Sequence, residues 1–175
     1  MNVKTKDLTK SGLCVAILVV LAQISFYIGV IPITGAVLGI LLMGGILQPP
    51  FALMSSLAYI CLGVFNLPVF AGFKGGYGVI LGVTGGYLLA YPIMAFSIAL
   101  IIKKIGNRSI FTLLISFTSG ILILYILGTA WFMLIGGYSL STALTLCVYP
   151  FIPAELIKTV CAVGIIKGLI KVRIV

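Results

Sequence analysis

The sequence predicts an all-α integral membrane protein with six transmembrane helices and with its N- and C-termini in the cytoplasm. Three observations support this fold class: 62% of the 175 residues are hydrophobic, only 7% are charged, and the basic residues form short clusters between long apolar segments. A soluble domain carries roughly a quarter charged residues, so the composition excludes a soluble globule. The net charge of +9 is therefore a topology signal and does not indicate nucleic-acid binding. We expect residues 1–175 to form a single transmembrane domain embedded in the lipid bilayer.

The chain begins with a polar stretch, residues 1–10, that we expect to be a cytoplasmic tail. A long apolar run follows directly, without a small-x-small cleavage site, which indicates a retained anchor and not a removed signal peptide. About twenty apolar residues cross the roughly 30 Å of hydrocarbon, so Ser11–Val30 is the predicted first span. Pro32 ends it, because proline disfavours helical geometry in the residue before it.

Two shorter apolar runs follow, Thr34–Leu47 and Phe51–Phe65, and Pro49 and Pro50 mark a turn between them. The runs are either one interrupted element or two short helices. We predict two helices, because an even number of spans keeps all the basic clusters on one side of the membrane.

The second half of the chain contains three longer apolar segments. The predicted fourth, fifth and sixth spans are Gly85–Ile102, Ile110–Ile135 and Pro150–Ile170, and a short interfacial helix up to Val148 precedes the last of them. Six spans place nine of the eleven basic residues in the cytoplasm and leave Lys74 and Lys158 on the outer side, in agreement with the positive-inside rule.

The stretch Asn66–Tyr87 is too rich in glycine for a stable helix and too apolar for an ordinary solvated loop. Glycine occupies seven of its positions, which lets backbone approach backbone, or a ligand, where a Cβ would collide. We therefore predict an outward-facing binding loop over residues 66–84. The alternative is that Gly78, Gly82 and Gly86, which repeat every four residues, pack helices together.

Glu155 is the only acidic residue outside the leading tail, and Lys158 lies three positions after it. On a helix this spacing places both side chains on one face. A charge at the membrane centre costs about 2.5 to 3.5 kcal/mol, so such residues tend to face a cavity and to be functional. The alternative is an interfacial ion pair that caps the helix. The functional interpretation is a site for a small ligand with N–H donors and an anionic group, which Lys74 would help to bind.

Aromatic residues near these charges are candidates for the walls of a pocket, although each of them could also belong to an interfacial belt or to packing. The candidates are Phe73 and Tyr77 in the loop, Tyr87 and Tyr91 on the fourth span, and Tyr125 and Trp131 on the fifth.

Several functional classes lack their usual residues. The chain has no histidine, which argues against haem, zinc and histidine proton relays, and we expect neither a metal nor a cofactor. It also has no GxxxxGK[ST] motif, so ATP-driven work requires a partner protein.

Three motifs in order, NLPVFAG, LGVTGGYL and PFIPAELIK, resemble the BioY family, the biotin-specific substrate-binding (S) subunits of energy-coupling-factor (ECF) vitamin transporters. The resemblance covers most of the chain from Pro32 onward. It implies six helices in a prokaryotic plasma membrane, capture of biotin at the outer face, and docking on a transmembrane T subunit that works with two cytoplasmic ATPase subunits. The positions that match the family's vitamin site are residues 70–76, residues 83–87 with Thr84, and Glu155 with Lys158.

The sequence departs from the family pattern at three places. Val83 replaces the proline of GPTGGY, Ala154-Glu155 replaces the last two residues of PGD, and the segment Ile31–Gly35 lacks the glutamine of VPITLQ. Because glutamate is one methylene longer than aspartate, the pocket is expected to be reshaped. A related carboxylate cofactor such as lipoate is therefore an alternative ligand.

The first helix of the family commonly offers alanines to the T subunit, a pattern that this chain matches only in part. Gly12 and Ala16 have small-xxx-small spacing here, and Ala22 follows. Gly12 and Ala16 either dock that subunit or pack within the protein.

The resulting hypothesis is a binding subunit and not an enzyme: Lys158 pairs with the valerate carboxylate of biotin, and Glu155 accepts a hydrogen bond from a ureido N–H. One alternative is a membrane enzyme that uses this pair as acid and base, although no nucleophile stands beside it. A second is a stand-alone small-solute transporter, although the chain has no inverted repeat.

Overall fold

The computed structural model describes residues 5–28 and 31–172 and is predominantly helical. Its helices are α1 (Thr5–Gln23), α2 (Ala36–Ile46), α3 (Pro49–Val64), α4 (Tyr77–Leu81), α5 (Gly85–Ile105), α6 (Ile110–Gly136), α7 (Leu140–Cys147) and α8 (Ile152–Lys171), with a single 3-10 turn at Tyr149–Phe151 between the last two. Two short strands, β1 (Ser25–Ile28) and β2 (Ile31–Thr34), lie between α1 and α2.

The predicted helical fold class is confirmed, apart from one short pair of strands. The prediction that the first span, Ser11–Val30, continues as a helix beyond Gln23 is wrong, and the last two residues of that span lie outside the described part of the chain. Helix α1 starts within the polar tail and stops at Gln23, after which β1 pairs with β2 in an antiparallel hairpin. Aromatic and β-branched residues favour strands, and Pro32, which faces Tyr27 across the hairpin, has no N–H to continue a helix. Apolar composition alone did not distinguish this hairpin from a continued helix.

Three helical stretches in the described part of the chain are long and apolar enough to cross a membrane: Gly85–Ile105, Ile110–Gly136 and Leu140–Lys171. Helices α2 and α3 are apolar but shorter. They confirm the prediction of two helices between residues 34 and 65, since the chain leaves the helical conformation at Leu47 and Gln48. The predicted short helix before residue 148 is also present, as α7.

Helix α5 is the centre of the bundle, where it packs against α2, α3 and α6. Its inward face carries Met94, Ala95 and Ile98, which are fully buried. Small residues on neighbouring helices allow this close approach: a Cβ added to Gly44 of α2 would lie 2.8 Å from the Ile98 Cβ, and one added to Gly120 of α6 would lie 2.6 Å from Ile98 Cδ1.

The glycine repeat of the loop serves helix packing at one of its three positions. A Cβ on Gly86 would collide with the Cβ of Trp131, so this glycine lets α5 contact α6. A Cβ on Gly78 would meet no described atom within 4 Å, and one on Gly82 would meet only carbonyl oxygens of α4. The stretch also holds the short helix α4, which the glycine content did not predict.

Candidate functional site

A cavity of about 160 Å³ lies near the start of α5 and has mostly apolar walls with a few polar groups, as is typical of small-molecule sites. Its wall is formed by Pro32, Thr34, Ala36, Val37, Tyr59, Phe70, Ala71, Lys74, Val79, Thr84, Tyr87, Leu88, Tyr91, Leu124, Tyr125, Cys147, Phe151, Glu155 and Lys158. The hairpin, the glycine-rich loop and all the helices except α1 therefore contribute to it.

The polar centre of this cavity is the ion pair between Glu155 and Lys158 at the start of α8. Lys158 Nζ donates a hydrogen bond to Glu155 Oε1 at 2.7 Å, and the two side chains are nearly buried, with 13% of the lysine and 7% of the glutamate exposed. An interfacial pair would extend into water, whereas these side chains line the cavity. Glu155 also lies in the first turn of α8, where the helix dipole favours a negative charge.

Two buried polar atoms in the cavity wall have no hydrogen-bond partner among the residues that the structure describes. They are Glu155 Oε2, which can only accept when ionised, and the Tyr125 hydroxyl, which can donate or accept. Leaving such a group unpaired costs about 1 to 3 kcal/mol. Because both atoms line one cavity, both are in position to form hydrogen bonds with a polar ligand.

Aromatic side chains form much of the remaining wall. Tyr91 is 5% exposed, and Tyr59 packs edge-on against Phe70 with ring centroids 5.6 Å apart. The Tyr87 hydroxyl shares a hydrogen bond with Thr129 Oγ1 at 3.1 Å, which holds the ring between α5 and α6. These rings offer flat apolar surfaces to a ring-bearing ligand.

The glycine-rich loop places Phe70, Ala71 and Lys74 in the wall by means of a tight turn. The Phe70 N–H donates to the Lys74 carbonyl at 3.0 Å. Between these residues, Gly72 and Phe73 both have positive φ angles, 70° and 56°. Glycine adopts this conformation without strain, whereas Phe73 is held in it by the surrounding turn.

Gln23, the last residue of α1, anchors this loop through both ends of its side-chain amide. Its Nε2 donates to the Val69 carbonyl at 3.2 Å, and its Oε1 accepts from the Phe73 N–H at 2.9 Å. The Tyr59 hydroxyl also donates to the Val69 carbonyl, at 3.1 Å. The loop that forms part of the cavity wall is thus fastened to α1 and α3.

We expect Gln23→Ala to release this loop and to weaken ligand binding about ten-fold, mainly through faster dissociation, because it removes two hydrogen bonds worth about 0.5 to 1.5 kcal/mol each. Dissociation of the labelled ligand from the purified protein measures the effect. Gln48→Ala is the matched control, since Gln48 is exposed and lies outside this cavity wall. Equal dissociation rates for Gln23→Ala and the unmodified protein would contradict the anchoring role.

The structure brings six of the nine predicted ligand-binding residues into the cavity wall: Glu155, Lys158, Lys74, Thr84, Tyr87 and Tyr91. The other three lie outside it. Phe73, in the turn, and Tyr77, at the start of α4, are 72% and 71% exposed and do not line the cavity. Trp131 packs on Gly86 and donates from Nε1 to the Gly82 carbonyl at 3.0 Å. It therefore does not line the cavity but contacts residues on either side of Thr84, which does.

Sequence reasoning missed the contribution of the hairpin, α2 and α3. Thr34, Val37 and Tyr59 line the cavity. Thr34 lies in the segment that resembles VPITLQ, so this motif was an available signal, whereas no charge or motif distinguishes Val37 and Tyr59 from other membrane residues. Phe70 and Ala71 lie within NLPVFAG, so this motif was the available signal for the loop portion of the wall.

Gly12 and Ala16 are both exposed on the outer face of α1. A Cβ on Gly12 would meet no atom of the described chain within 4 Å. The structure therefore does not support the alternative that these small residues pack within the protein.

Comparison with known proteins places this architecture in a family. A profile of the BioY family matches residues 1–174. The chain is 38% identical over 166 residues to the probable biotin transporter BioY of Pyrococcus horikoshii, and the match covers 95% of this chain and 97% of that protein. It is 35% identical over 170 residues to the biotin transporter BioY of Thermotoga maritima, and that match covers 97% and 98% of the two chains.

A solved structure is similar across the whole fold. The crystal structure of the S-component for biotin from an ECF-type ABC transporter superposes with a TM-score of 0.89 at 31% identity, and the match covers 95% of this chain and 91% of that one. The family and these relatives are transport proteins, which confirms the prediction of a membrane transport component that is not an enzyme. The chain belongs to the BioY family.

Proposed function

We propose that this protein is the substrate-binding (S) subunit of an ATP-driven vitamin uptake transporter and that it captures biotin at the outer face of a prokaryotic plasma membrane. The observation that carries the proposal is the unpaired, buried Glu155 Oε2 in an otherwise apolar and aromatic cavity. Biotin combines a ring with ureido N–H donors, apolar ring edges and a carboxylate tail. The relatives named as biotin transporters support this choice of ligand.

The ion pair changes how the two ends of biotin are assigned. Glu155 and Lys158 are in direct contact, whereas the ureido group and the carboxylate of biotin lie at opposite ends of the molecule, separated by the sulfur-containing ring and a four-carbon side chain. Because Glu155 and Lys158 touch each other, both can contact only one end of an extended biotin molecule. The sequence-based assignment, with Lys158 on the carboxylate and Glu155 on the ureido group, therefore does not suit this geometry.

Instead, both residues bind the ureido group. Glu155 Oε2 accepts from a ureido N–H, and Lys158 Nζ donates one of its remaining hydrogens to the neighbouring ureido carbonyl. The adjacent donor and acceptor of the ligand match the adjacent acceptor and donor of the pair. The carboxylate is then left to Lys74, which is the other cation of the cavity wall among the described residues.

Lipoate is a poorer fit to the same site. It carries a carboxylate but has no N–H donor, so Glu155 Oε2 would stay buried without a partner. An unpaired buried acceptor costs about 1 to 3 kcal/mol, and more when it is charged.

A titration of the detergent-purified chain with each ligand tests this proposal. We expect one-to-one binding of biotin by calorimetry, with a change in Trp131 fluorescence because Trp131 contacts the segment that lines the cavity, and binding of lipoate that is weaker by about ten-fold or more. Tight binding of lipoate without binding of biotin would overturn the assignment of the cargo.

We further propose that six helices cross the membrane with both termini in the cytoplasm, and that the exposed α1 face with Gly12 and Ala16 docks a transmembrane T subunit. Two cytoplasmic ATPase subunits would supply the energy, since the chain has no ATP-binding motif. The likeness to an S-component of an ECF-type ABC transporter supports such an assembly. Small exposed residues suit close approach of a partner helix.

We expect Gly12→Leu and Ala16→Leu to leave biotin binding by the isolated chain unchanged, because both residues are exposed and outside the cavity wall. Uptake of biotin by cells that contain the partner subunits should fall to background, because the larger side chains block helix contact. The matched control is Gly164→Leu, an exposed glycine on α8 with no described atom near its added Cβ. Normal uptake by the α1 variants would contradict this docking face.

A further inference from the structure

A second cavity, of about 560 Å³, lies at the opposite end of α5 from the biotin site. It is formed where the turn between α2 and α3 meets the end of α5, the loop before α6 and the end of α8. Two cations, Lys103 and Arg108, line it together with the amides of Gln48 and Asn107. Nothing in the capture of biotin uses this end of the bundle.

Arg108 is a partly buried charge without a carboxylate partner in the described chain. Its Nε donates to the Gly45 carbonyl at 3.1 Å, and its Nη2 donates to the Ile46 carbonyl at 3.2 Å. The guanidinium has five N–H donors, so these two bonds leave the others for a further acceptor. Within residues 5–28 and 31–172, one salt bridge is present, between Glu155 and Lys158, and Arg108 is not part of it.

The carbonyl bonds explain how Arg108 is held, since cations favour the C-terminal end of a helix. They do not neutralise its charge. Burial lowers the pKa of the Arg108 guanidinium, yet arginine remains protonated in proteins. A buried charge normally has a counter-ion, and the cavity beside it also contains Lys103. The site is therefore electrostatically suited to an anion.

The rest of the wall is apolar. Leu47, Ile102 and Ile170 line the same cavity as Lys103 and Arg108. A free inorganic anion would gain nothing from this apolar surface, whereas a lipid would place its headgroup on the cations and the start of its acyl chains on the apolar side. In the adjoining recess, which Arg108 also lines, Lys10 and Asp7 carry opposite charges, so these two residues together add no net charge.

We propose that this cavity binds the phosphodiester headgroup of an anionic phospholipid. Basic pockets between transmembrane helices on the cytoplasmic side are known to suit such headgroups, and the proposed topology places this end of α5 on that side. The inference concerns a site separate from the biotin cavity and does not depend on the identity of the transported ligand.

Native mass spectrometry of the detergent-purified chain tests the proposal with phosphatidylglycerol and phosphatidylcholine as probes. We expect phosphatidylglycerol to be retained in preference to phosphatidylcholine, and Lys103→Gln to weaken its retention about five-fold, the effect expected of one cation near an anionic headgroup. Lys104→Gln is the matched control: Lys104 is the next residue on α5 and is also exposed, but it does not line the cavity. The retention of phosphatidylglycerol by Lys104→Gln should differ less than two-fold from that by the unmodified protein.

Three results would overturn the proposal. If Lys103→Gln and Lys104→Gln reduced the retention of phosphatidylglycerol equally, the lipid would be attracted by the overall positive charge and not by this cavity. Equal retention of the two phospholipids would mean that the headgroup charge is not recognised. Displacement of phosphatidylglycerol by glycerol 3-phosphate at equal concentration would mean that the apolar wall contributes nothing. Arg108 is left intact in this experiment because its bonds to α2 support the fold, and biotin binding by each variant verifies folding independently.

Discussion

We expect Lys158→Ala to weaken biotin binding by about two orders of magnitude. The substitution removes the donor to the ureido carbonyl and leaves the carboxylate of the buried Glu155 without its counter-ion. Removing one partner of a buried, hydrogen-bonded charge pair costs about 2 to 5 kcal/mol. Calorimetric titration of the purified variant gives the affinity directly.

Lys167→Ala is the matched control for this experiment. Lys167 lies on the same helix but is exposed and outside the cavity wall, so its removal should leave the affinity unchanged. Glu155→Gln separates charge from shape, because the amide keeps one acceptor oxygen, and its effect should be smaller than that of Glu155→Ala. Unchanged affinity in both Lys158→Ala and Glu155→Ala would show that biotin binds elsewhere.

The second large effect is expected from Gly86→Ala, which should lower the melting temperature in detergent by several degrees and weaken biotin binding. The new methyl group would collide with the Trp131 Cβ, an atom fixed to the backbone of α6. Overpacking of this kind costs about 1 to 3 kcal/mol, which exceeds the roughly 1 kcal/mol that alanine gains over glycine as a helix former. Tyr87, the next residue, would be displaced from the cavity wall.

Gly78→Ala provides the comparison, because Gly78 belongs to the same four-residue repeat but has no described atom within 4 Å of an added Cβ. Its melting temperature should be equal to or higher than that of the unmodified protein. A fall of equal size in both variants would contradict the contact between α5 and α6 as the reason for glycine at position 86.

The charged part of the candidate site could be predicted because it depends on local geometry. Glu155 and Lys158 are three residues apart, and any helix brings such residues onto one face. Their rarity in an apolar chain is enough to identify them as candidates. The exposed position of Gly12 and Ala16 follows from the same helical spacing, once the inner face of α1 is identified by its buried residues Cys14 and Leu18.

The walls of the site could not be predicted in the same way. The hairpin forms by pairing between β1 and β2, and in an apolar sequence neither strand has the alternation that distinguishes a strand from a helix. For the same reason, Val37 and Tyr59 looked like any membrane-facing residue. Trp131 and Phe73 were predicted to contact the ligand because they are aromatic, but composition does not reveal which way a ring points.

The anchoring of the loop was also beyond sequence reasoning. Gln23 bonds to residues 46 and 50 positions later in the chain, and an isolated glutamine near the end of an apolar run carries no pattern. The glycines predicted that the loop would be tightly turned. They could not identify the residues to which it is fastened.

The most direct test of the central claim is a double-mutant cycle in which one change is made in the ligand. Biotin and biotinol, which has an alcohol in place of the carboxylate, are titrated against the unmodified protein, Lys158→Ala and Lys74→Ala. If the ion pair binds the ureido group, biotinol should bind more weakly than biotin, by the same factor, to the unmodified protein and to Lys158→Ala. The two ligands should bind Lys74→Ala with nearly equal affinity. If biotin and biotinol instead bind Lys158→Ala with equal affinity, then Lys158 binds the carboxylate and the proposed orientation of biotin is wrong.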